Sequence, residues 1–184
     1  AADAIQEGKD FLDAVPFQKA SVLVIQGDEP QNIVDRKIAR MDRTGNFEIL
    51  CESSLLKISE LRALVCSGKW RAIIVDSLTT VLSSTTCTTM DLSMADRLYE
   101  LNKIASECKV AIIMTAHLNK PSRDGSGKPM QRKVITWSDI SGVATISAAV
   151  NDAWGLTTRG NDYSLHALGK RHIEARTEWV LQRG

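Results

Sequence analysis

The sequence predicts an α/β protein built on a mostly parallel β-sheet. Three short apolar runs, residues 21–26, 72–76 and 110–116, end at polar residues, and amphipathic segments separate them. Alternating strands and helices of this kind imply right-handed crossovers and a sheet with helices on both faces. In such a sheet, ligands bind at the carboxyl ends of the strands.

Apolar spacing sets the order of elements in the first two thirds of the chain. Segments with helical spacing alternate with apolar runs, and the predicted order is helix 1–12, strand 21–26, helix 31–41, strand 47–50, helix 55–66, strand 72–76, helix 90–108 and strand 110–116. Gly68 follows the third helix, as is typical of a C-terminal cap. The first helix has no capping residue ahead of it, which predicts that it begins upstream of Ala1.

The last third of the chain has a different pattern. Residues 121–133 are rich in proline, glycine and charge, which predicts a mobile surface loop. A helix over residues 137–151 follows, capped at Ser138 or Asp139. Three short strands, 153–158, 164–169 and 178–181, then predict an antiparallel extension, with Gly160 and Asn161 in the first hairpin turn.

Composition bounds the class of protein. A chain of 184 residues, 43% hydrophobic and 24% charged, suits one globular domain with its own core. The net charge of +1 means that any nucleic-acid surface must be local. No apolar run approaches the roughly 18 residues of a membrane span, and no signal peptide is visible. The cysteines form no C-x-x-C pair, so reduced thiols in a cytoplasmic protein are expected for Cys51, Cys66, Cys87 and Cys108.

Polar residues at the strand ends are the first candidates for a site. Asp76 and Ser77 end an apolar strand, where an acid and a hydroxyl can serve a divalent metal and a phosphate. The alternative for Asp76 is a helix cap in a turn. Asp28 and Glu29 follow strand 21–26, and the alternative for them is a Gly-Asp-Glu-Pro turn that caps the next helix.

These features together resemble the RecA-like ATPase core, and most of all its RepA-like and DnaB-like hexameric helicase branch. The resemblance rests on order and spacing along nearly the whole chain. It is carried by the acids after strand 21–26, Asp76 after strand 72–76, the His117-Leu-Asn-Lys120 ending of strand 110–116, the small-residue helix near Ser141-Gly142, and the late basic pair Lys170-Arg171.

The resemblance implies roles for these residues. Asp76 would have the Walker B role, accepting hydrogen bonds from magnesium-bound water. Either Asp28, which aligns better, or Glu29, which has the family's side-chain length, would be the base that activates water. His117 would sense the γ-phosphate, or serve only as a structural hydrogen-bonding group. Lys170 and Arg171 would act as basic fingers toward a neighbouring subunit's γ-phosphate, although such pairs are common on any surface.

The implied activity is a motor module that binds ATP and Mg²⁺ between subunits of a homo-oligomeric ring or filament and acts on DNA. Single-stranded DNA could contact the charged loop, through the basic residues Arg123, Lys128, Arg132 and Lys133. The alternative for this loop is a solvated surface. Two other activities stay open: a non-hydrolysing assembly or regulatory module, and a signalling ATPase without nucleic acid.

The family's phosphate-binding loop, G-x-x-x-x-G-K-[ST], does not occur in these 184 residues. Gly125-Ser-Gly-Lys128 is not a substitute, because Pro129 follows the lysine and no strand precedes it. The resemblance implies that Ala1 lies a few residues inside the phosphate-loop helix. Residues 1–184 are therefore expected to be a single RecA-like domain whose first strand and phosphate loop lie upstream.

Overall fold

The computed structural model describes residues 2–8, 19–40, 47–51, 57–78, 92–130, 132, 134–140, 143–160, 162–169 and 178–181. They group into two compact units, Ala1–Ala116 and His117–Gly184. Each unit has its own sheet.

The first unit contains a four-stranded parallel sheet. Its strands are β1 (Val22–Gln26), β2 (Glu48–Cys51), β3 (Ala72–Asp76) and β4 (Ala111–Met114). They lie in the order β2-β1-β3-β4, and every neighbouring pair is parallel. The parallel sheet predicted from the apolar runs is therefore confirmed. Among the described strands, β2 and β4 form its two edges.

Four helices accompany this sheet: α1 (Ala2–Glu7), α2 (Gln31–Ile38), α3 (Ile58–Val65) and α4 (Leu92–Cys108). Their apolar stripes pack inward, because residues three or four apart share one face of a helix. Leu61 and Val65 of α3 are buried, and α4 buries Met94, Leu98, Leu101 and Ile104. Beneath these helices, the central strands β1 and β3 bury four apolar side chains almost fully: Val22, Ile25, Ile73 and Val75.

Two of the four cysteines correct the expectation of reduced thiols. Cys66, just after α3, and Cys108, the last residue of α4, form a disulfide with their Cα atoms 5.3 Å apart. Arg62 and Glu107 add an ion pair of 2.9 Å between the same two helices. The sequence alone does not reveal this cysteine pairing, because it depends on how α3 and α4 pack. Cys51 is a free thiol whose pKa is raised by burial and by the carboxylates of Asp35 and Glu29.

The second unit contains an antiparallel sheet of three strands. They are β5 (Trp154–Arg159), β6 (Asp162–Ala167) and β7 (Glu178–Leu181), in that order. Gly160, between β5 and β6, has a φ of +62°, which glycine adopts at no steric cost. The predicted strand extension and its hairpin turn are confirmed.

The helix expected over residues 137–151 is wrong as one continuous element. A 3₁₀ turn, Trp137–Asp139, is followed by an extended Ile140 and then by α5 (Val143–Ala149). Ile140 pairs with Leu118 in an isolated antiparallel bridge, and the Asp139 carbonyl accepts a hydrogen bond from Asn119 N–H. Backbone groups committed to this bridge cannot continue a helix, so the pairing interrupts it. Residues 141 and 142 lie outside the described residues.

The segment after β4 is a hydrogen-bonded turn rather than an irregular loop. Arg123 and Pro129 form an antiparallel bridge. The Asp124 carboxylate accepts hydrogen bonds from the Ser126 and Lys128 amides and from the Ser126 hydroxyl. These contacts lower the pKa of Asp124, chiefly through the Ser126 hydroxyl. Its predicted surface position is confirmed, since nearly all of residues 121–130 are exposed.

Two tryptophans differ in their exposure to solvent. Trp70 is buried, whereas Trp154 is 44% exposed on β5. Across the described parts of the chain, no helix combines the length and apolar character needed to cross a membrane.

Candidate functional site

Polar side chains from three strands meet at the carboxyl edge of the parallel sheet in the first unit. β1 and β3 are neighbours, with Gln26 directly opposite Asp76. β3 and β4 are also neighbours, with Val75 opposite Met114, so Thr115 follows beside Asp76. Residues at matching positions of parallel strands point to the same side of the sheet. The register therefore brings these three side chains together.

Asp76 is the centre of this group. Its Oδ2 atom accepts a hydrogen bond of 2.7 Å from Nε2 of Gln26, and its Oδ1 atom accepts one of 2.5 Å from the Thr115 hydroxyl. The carboxylate is half-buried. Both contacts come from side chains of neighbouring strands. Two donors fix the carboxylate before any ligand arrives, as a preorganised site requires.

Ser77 and Asp28 extend the group. Ser77 is buried, and its hydroxyl lies 3.4 Å from Oδ1 of Asp28. The backbone N–H of Asp28 donates to Oε1 of Gln26 over 2.9 Å. Ser77 is joined to Asp76 by a cis peptide bond. The structure thus brings together three of the predicted site residues, Asp28, Asp76 and Ser77.

Glu29 has a different environment from Asp28. Both of its carboxylate oxygens lie within hydrogen-bond distance of the Lys37 ammonium group, at 2.5 and 2.7 Å. Lys37 belongs to α2, whose N-cap residue, Pro30, makes no side-chain cap hydrogen bond. Of the two acids, Asp28 is the one connected to Asp76.

The oxygen atoms of these side chains fit a magnesium ion. Carboxylate and hydroxyl oxygens are the ligands that Mg²⁺ prefers, and Asp76, Ser77, Thr115 and Asp28 supply them. Among the described residues, no three acidic, histidine or cysteine side chains gather as a metal cage. Magnesium in nucleotide sites is commonly held by one or two carboxylates, phosphates and water, so one central Asp76 suits it.

Two residues of this edge were not included among the site residues predicted from the sequence. Gln26 and Thr115 each donate to the central carboxylate. Their position in the sequence could have identified them, because each is the polar residue at the end of its apolar run. Strand order was also needed, since only neighbouring strands place these ends together.

The basic candidates and His117 belong to the second unit or lie outside the described residues. His117 is exposed at the start of the second unit. Arg123 donates to the Gly127 carbonyl, while Lys128 extends from the exposed turn. Within the Gly125-Ser-Gly-Lys128 segment, the Ser126 and Lys128 amides donate to the Asp124 carboxylate.

Arg132 has structural partners. Its Nε donates to Oδ1 of Asp139 over 2.9 Å, and its guanidinium also donates to the Asn119 carbonyl over 2.6 Å. Its side chain is only 21% exposed. Arg132 therefore anchors its own unit. Lys133, Lys170 and Arg171 lie outside the described residues.

Comparison with known proteins supports the fold. No family model matches the sequence, and no curated protein matches it. Among solved structures, a DnaB-like replicative helicase, studied with its interactions with primase, superimposes with a TM-score of 0.65 at 14% identity over 88% of this chain. A second solved structure, that of an ATPase domain, superimposes with a TM-score of 0.62 at 11% identity over 87% of this chain.

These similarities define the class of fold. The chain has the α/β fold of RecA-like helicase ATPase domains, as the order of its sequence features predicted. It spans about half of the DnaB-like helicase chain, 48%, and 70% of the second structure. At such low identity the similarity shows the fold alone, and a shared fold does not establish an activity.

Proposed function

We propose that this chain is a helicase-type ATPase module that binds ATP with Mg²⁺ and couples hydrolysis to work on DNA in replication, recombination or repair. One observation carries the proposal. The Asp76 carboxylate, held by Gln26 and Thr115 and adjoined by Asp28, stands at the carboxyl edge of a parallel sheet with the helicase ATPase fold. This is where such sheets bind ligands.

The residues of the site divide the chemistry among them. When bound, magnesium with its water shell would neutralise charge on the phosphates. Asp76 would accept hydrogen bonds from that shell, with Ser77 beside it. Asp28 would orient the attacking water and take its proton. Its link to Gln26 and its proximity to Ser77 support this role. Glu29, already paired with Lys37, would contribute little.

ATP binding also needs a phosphate-binding loop, and we propose that it lies outside these 184 residues. Among the described strands, β4 is an edge of the sheet, and this position supports the proposal. Ile113 in the middle of β4 is 41% exposed, and a further parallel strand beside it would cover this apolar edge. The 184-residue chain alone is then expected to bind ATP with negligible affinity. Tight binding of Mg²⁺-ATP by this chain would contradict the proposal.

The remaining candidates would serve DNA and neighbouring subunits. Lys128, with Arg123 and Lys133, would contact the backbone of single-stranded DNA. His117 would sense whether the γ-phosphate is present and relay that state to the segment that contacts DNA. In a homo-oligomeric ring or filament, Lys170 and Arg171 would reach the site of the next subunit. An Arg171→Ala subunit should then bind ATP but fail to complete the site of its neighbour. Mixed oligomers that also contain Asp76→Asn subunits should regain partial ATPase activity.

Asp76→Asn tests the proposed function. In a chain that includes a phosphate-binding loop, this variant should keep its fold and lose ATP turnover by about 100-fold or more, because the charge that holds the metal shell is gone. Asp96→Asn, which removes an exposed acid on α4, is the matched control. Unchanged turnover in Asp76→Asn would remove Asp76 from the site. ATP binding without hydrolysis in the unmutated chain would instead favour the non-hydrolysing regulatory module.

A further inference from the structure

Gln26, the last residue of β1, bridges two acidic residues. Its Nε2 donates to Oδ2 of Asp76 at 2.7 Å, and its Oε1 accepts the backbone N–H of Asp28 at 2.9 Å. The partners fix the orientation of the amide, because a backbone N–H can only donate and an ionised carboxylate can only accept. Both ends of one side chain are therefore used.

Only a side chain with this length and chemistry can make the bridge. A glutamate would bring a second carboxylate against Asp76 and lose the donor. An asparagine carries the same amide but is shorter by one methylene, so it cannot span from the end of β1 to both partners. The other contact of Asp28 with this group, to the Ser77 hydroxyl, is long at 3.4 Å. The Gln26 bridge is therefore the stronger of the two connections.

We propose that Gln26 is a positioning residue, which holds the backbone of Asp28 in place relative to the Asp76 carboxylate. The inference rests on the proposed function, in which Asp28 activates water beside a metal held by Asp76. Gln26 itself touches neither nucleotide nor metal in this scheme. It acts by fixing the separation of two groups whose geometry governs rate, since small misplacements of catalytic groups are costly.

The first experiment measures the bridge directly. Amide hydrogen exchange of the 184-residue chain is followed by NMR in the unmutated protein and in Gln26→Met, which keeps the length and removes both hydrogen bonds. Loss of one hydrogen bond should speed exchange of the Asp28 amide by about tenfold, and amides in the middle of β1 should not change. Gln31→Met is the matched control, because Gln31 donates to Asp35 at 2.7 Å on the exposed side of α2.

Gln26→Asn serves as a second variant if Gln26→Met does not fold. It preserves polarity at the strand end and should also speed Asp28 exchange. An unchanged Asp28 amide in a folded Gln26 variant overturns the inference, and so does an equal change in Gln31→Met.

The second experiment tests the functional consequence in a chain that hydrolyses ATP. Gln26→Met should lower kcat by about 10- to 100-fold with little change in KM for Mg²⁺-ATP, because positioning acts on the reacting geometry. A rise in KM alone overturns the positioning role. If no form of the chain hydrolyses ATP but Asp28 exchange still responds to Gln26, the proposed function fails while the bridge stands.

Discussion

Lys37 binds both carboxylate oxygens of Glu29, at 2.5 and 2.7 Å. Asp28, its neighbour in sequence, is instead tied to the site through Gln26 and Ser77. Two adjacent acids therefore have separate partners. Glu29 connects the loop to α2, and Asp28 lies beside the group formed by Gln26, Asp76 and Ser77.

The acid pair gives the first prediction. In an ATP-hydrolysing chain, Asp28→Asn should reduce turnover by about 100- to 10,000-fold, the usual cost of losing a positioned general base. Glu29→Gln should change turnover little, because it breaks only a partly exposed ion pair worth up to about 1 kcal/mol. Steady-state rates of ATP hydrolysis, measured for both variants, show which acid is the base. The reverse order would assign the base to Glu29, and equally small effects would exclude both.

The second prediction concerns the disulfide between Cys66 and Cys108. It closes a long loop, with a sequence separation of 42 residues, so reduction should destabilise the folded chain by about 2–4 kcal/mol. For a chain of this size, that corresponds to a fall in Tm of roughly 5–15 °C. Thermal unfolding with and without reductant measures it.

Cys66→Ser should reproduce the effect of reductant on the melting temperature and abolish any further response to it. Cys51→Ser, which removes a thiol outside the bridge, is the control. A melting temperature that is the same in oxidised and reduced protein would show that the bond contributes nothing to stability.

The third prediction is a pH dependence at Asp139. Its pKa is lowered, chiefly by the hydrogen bond from the Thr136 backbone, with further contributions from the Thr136 hydroxyl and Arg132. A lowered folded-state pKa means that the stabilisation is complete above the unfolded value, about 3.9, and is lost as pH falls through the folded one. Asp139→Asn should therefore be less stable by about 1 kcal/mol at neutral pH.

Chemical denaturation of both proteins from pH 7 to pH 2 checks this expectation. The difference between them should shrink as the medium becomes acidic. Asp96→Asn provides the comparison for removing an exposed charge. A difference that stays constant over the whole range would exclude the ionised carboxylate as its source.

The fourth prediction concerns single-stranded DNA. Lys128→Gln should weaken binding and lower the slope of log affinity against log salt by about 0.7, the value for one phosphate contact on a single strand. Lys103→Gln removes a lysine of α4 that is 72% exposed and should have no such effect. Fluorescence anisotropy at several salt concentrations gives both slopes. Identical slopes in all three proteins would favour a signalling ATPase without nucleic acid.

Several features of the fold were predictable from local pattern. The apolar runs ending at Gln26, Asp76 and Thr115 gave the strands of the parallel sheet, because a buried parallel strand is apolar along its length. The acids at the ends of the first two of these runs could then be placed at one edge, since parallel strands end on the same side. Asp76 was identified in this way.

Other features depended on contacts between residues far apart in sequence. Spacing along the chain could not show that Cys66 meets Cys108, because the meeting requires α3 to pack beside α4. The helix over 137–151 looked continuous until the Leu118 bridge to Ile140 was known. The exposure of Trp154 depends on which face of the second sheet it occupies.

By itself, the sequence determined the fold class and placed Asp76 among the candidate site residues, because periodicity and strand ends are local properties. Tertiary structure decided which acid accompanies Asp76. The choice depends on Lys37 reaching back from α2 to Glu29, and on Gln26 lying opposite Asp76 in the β1–β3 register. Hydrogen-bond partners are set by distance in space, which the order of residues along the chain does not encode directly.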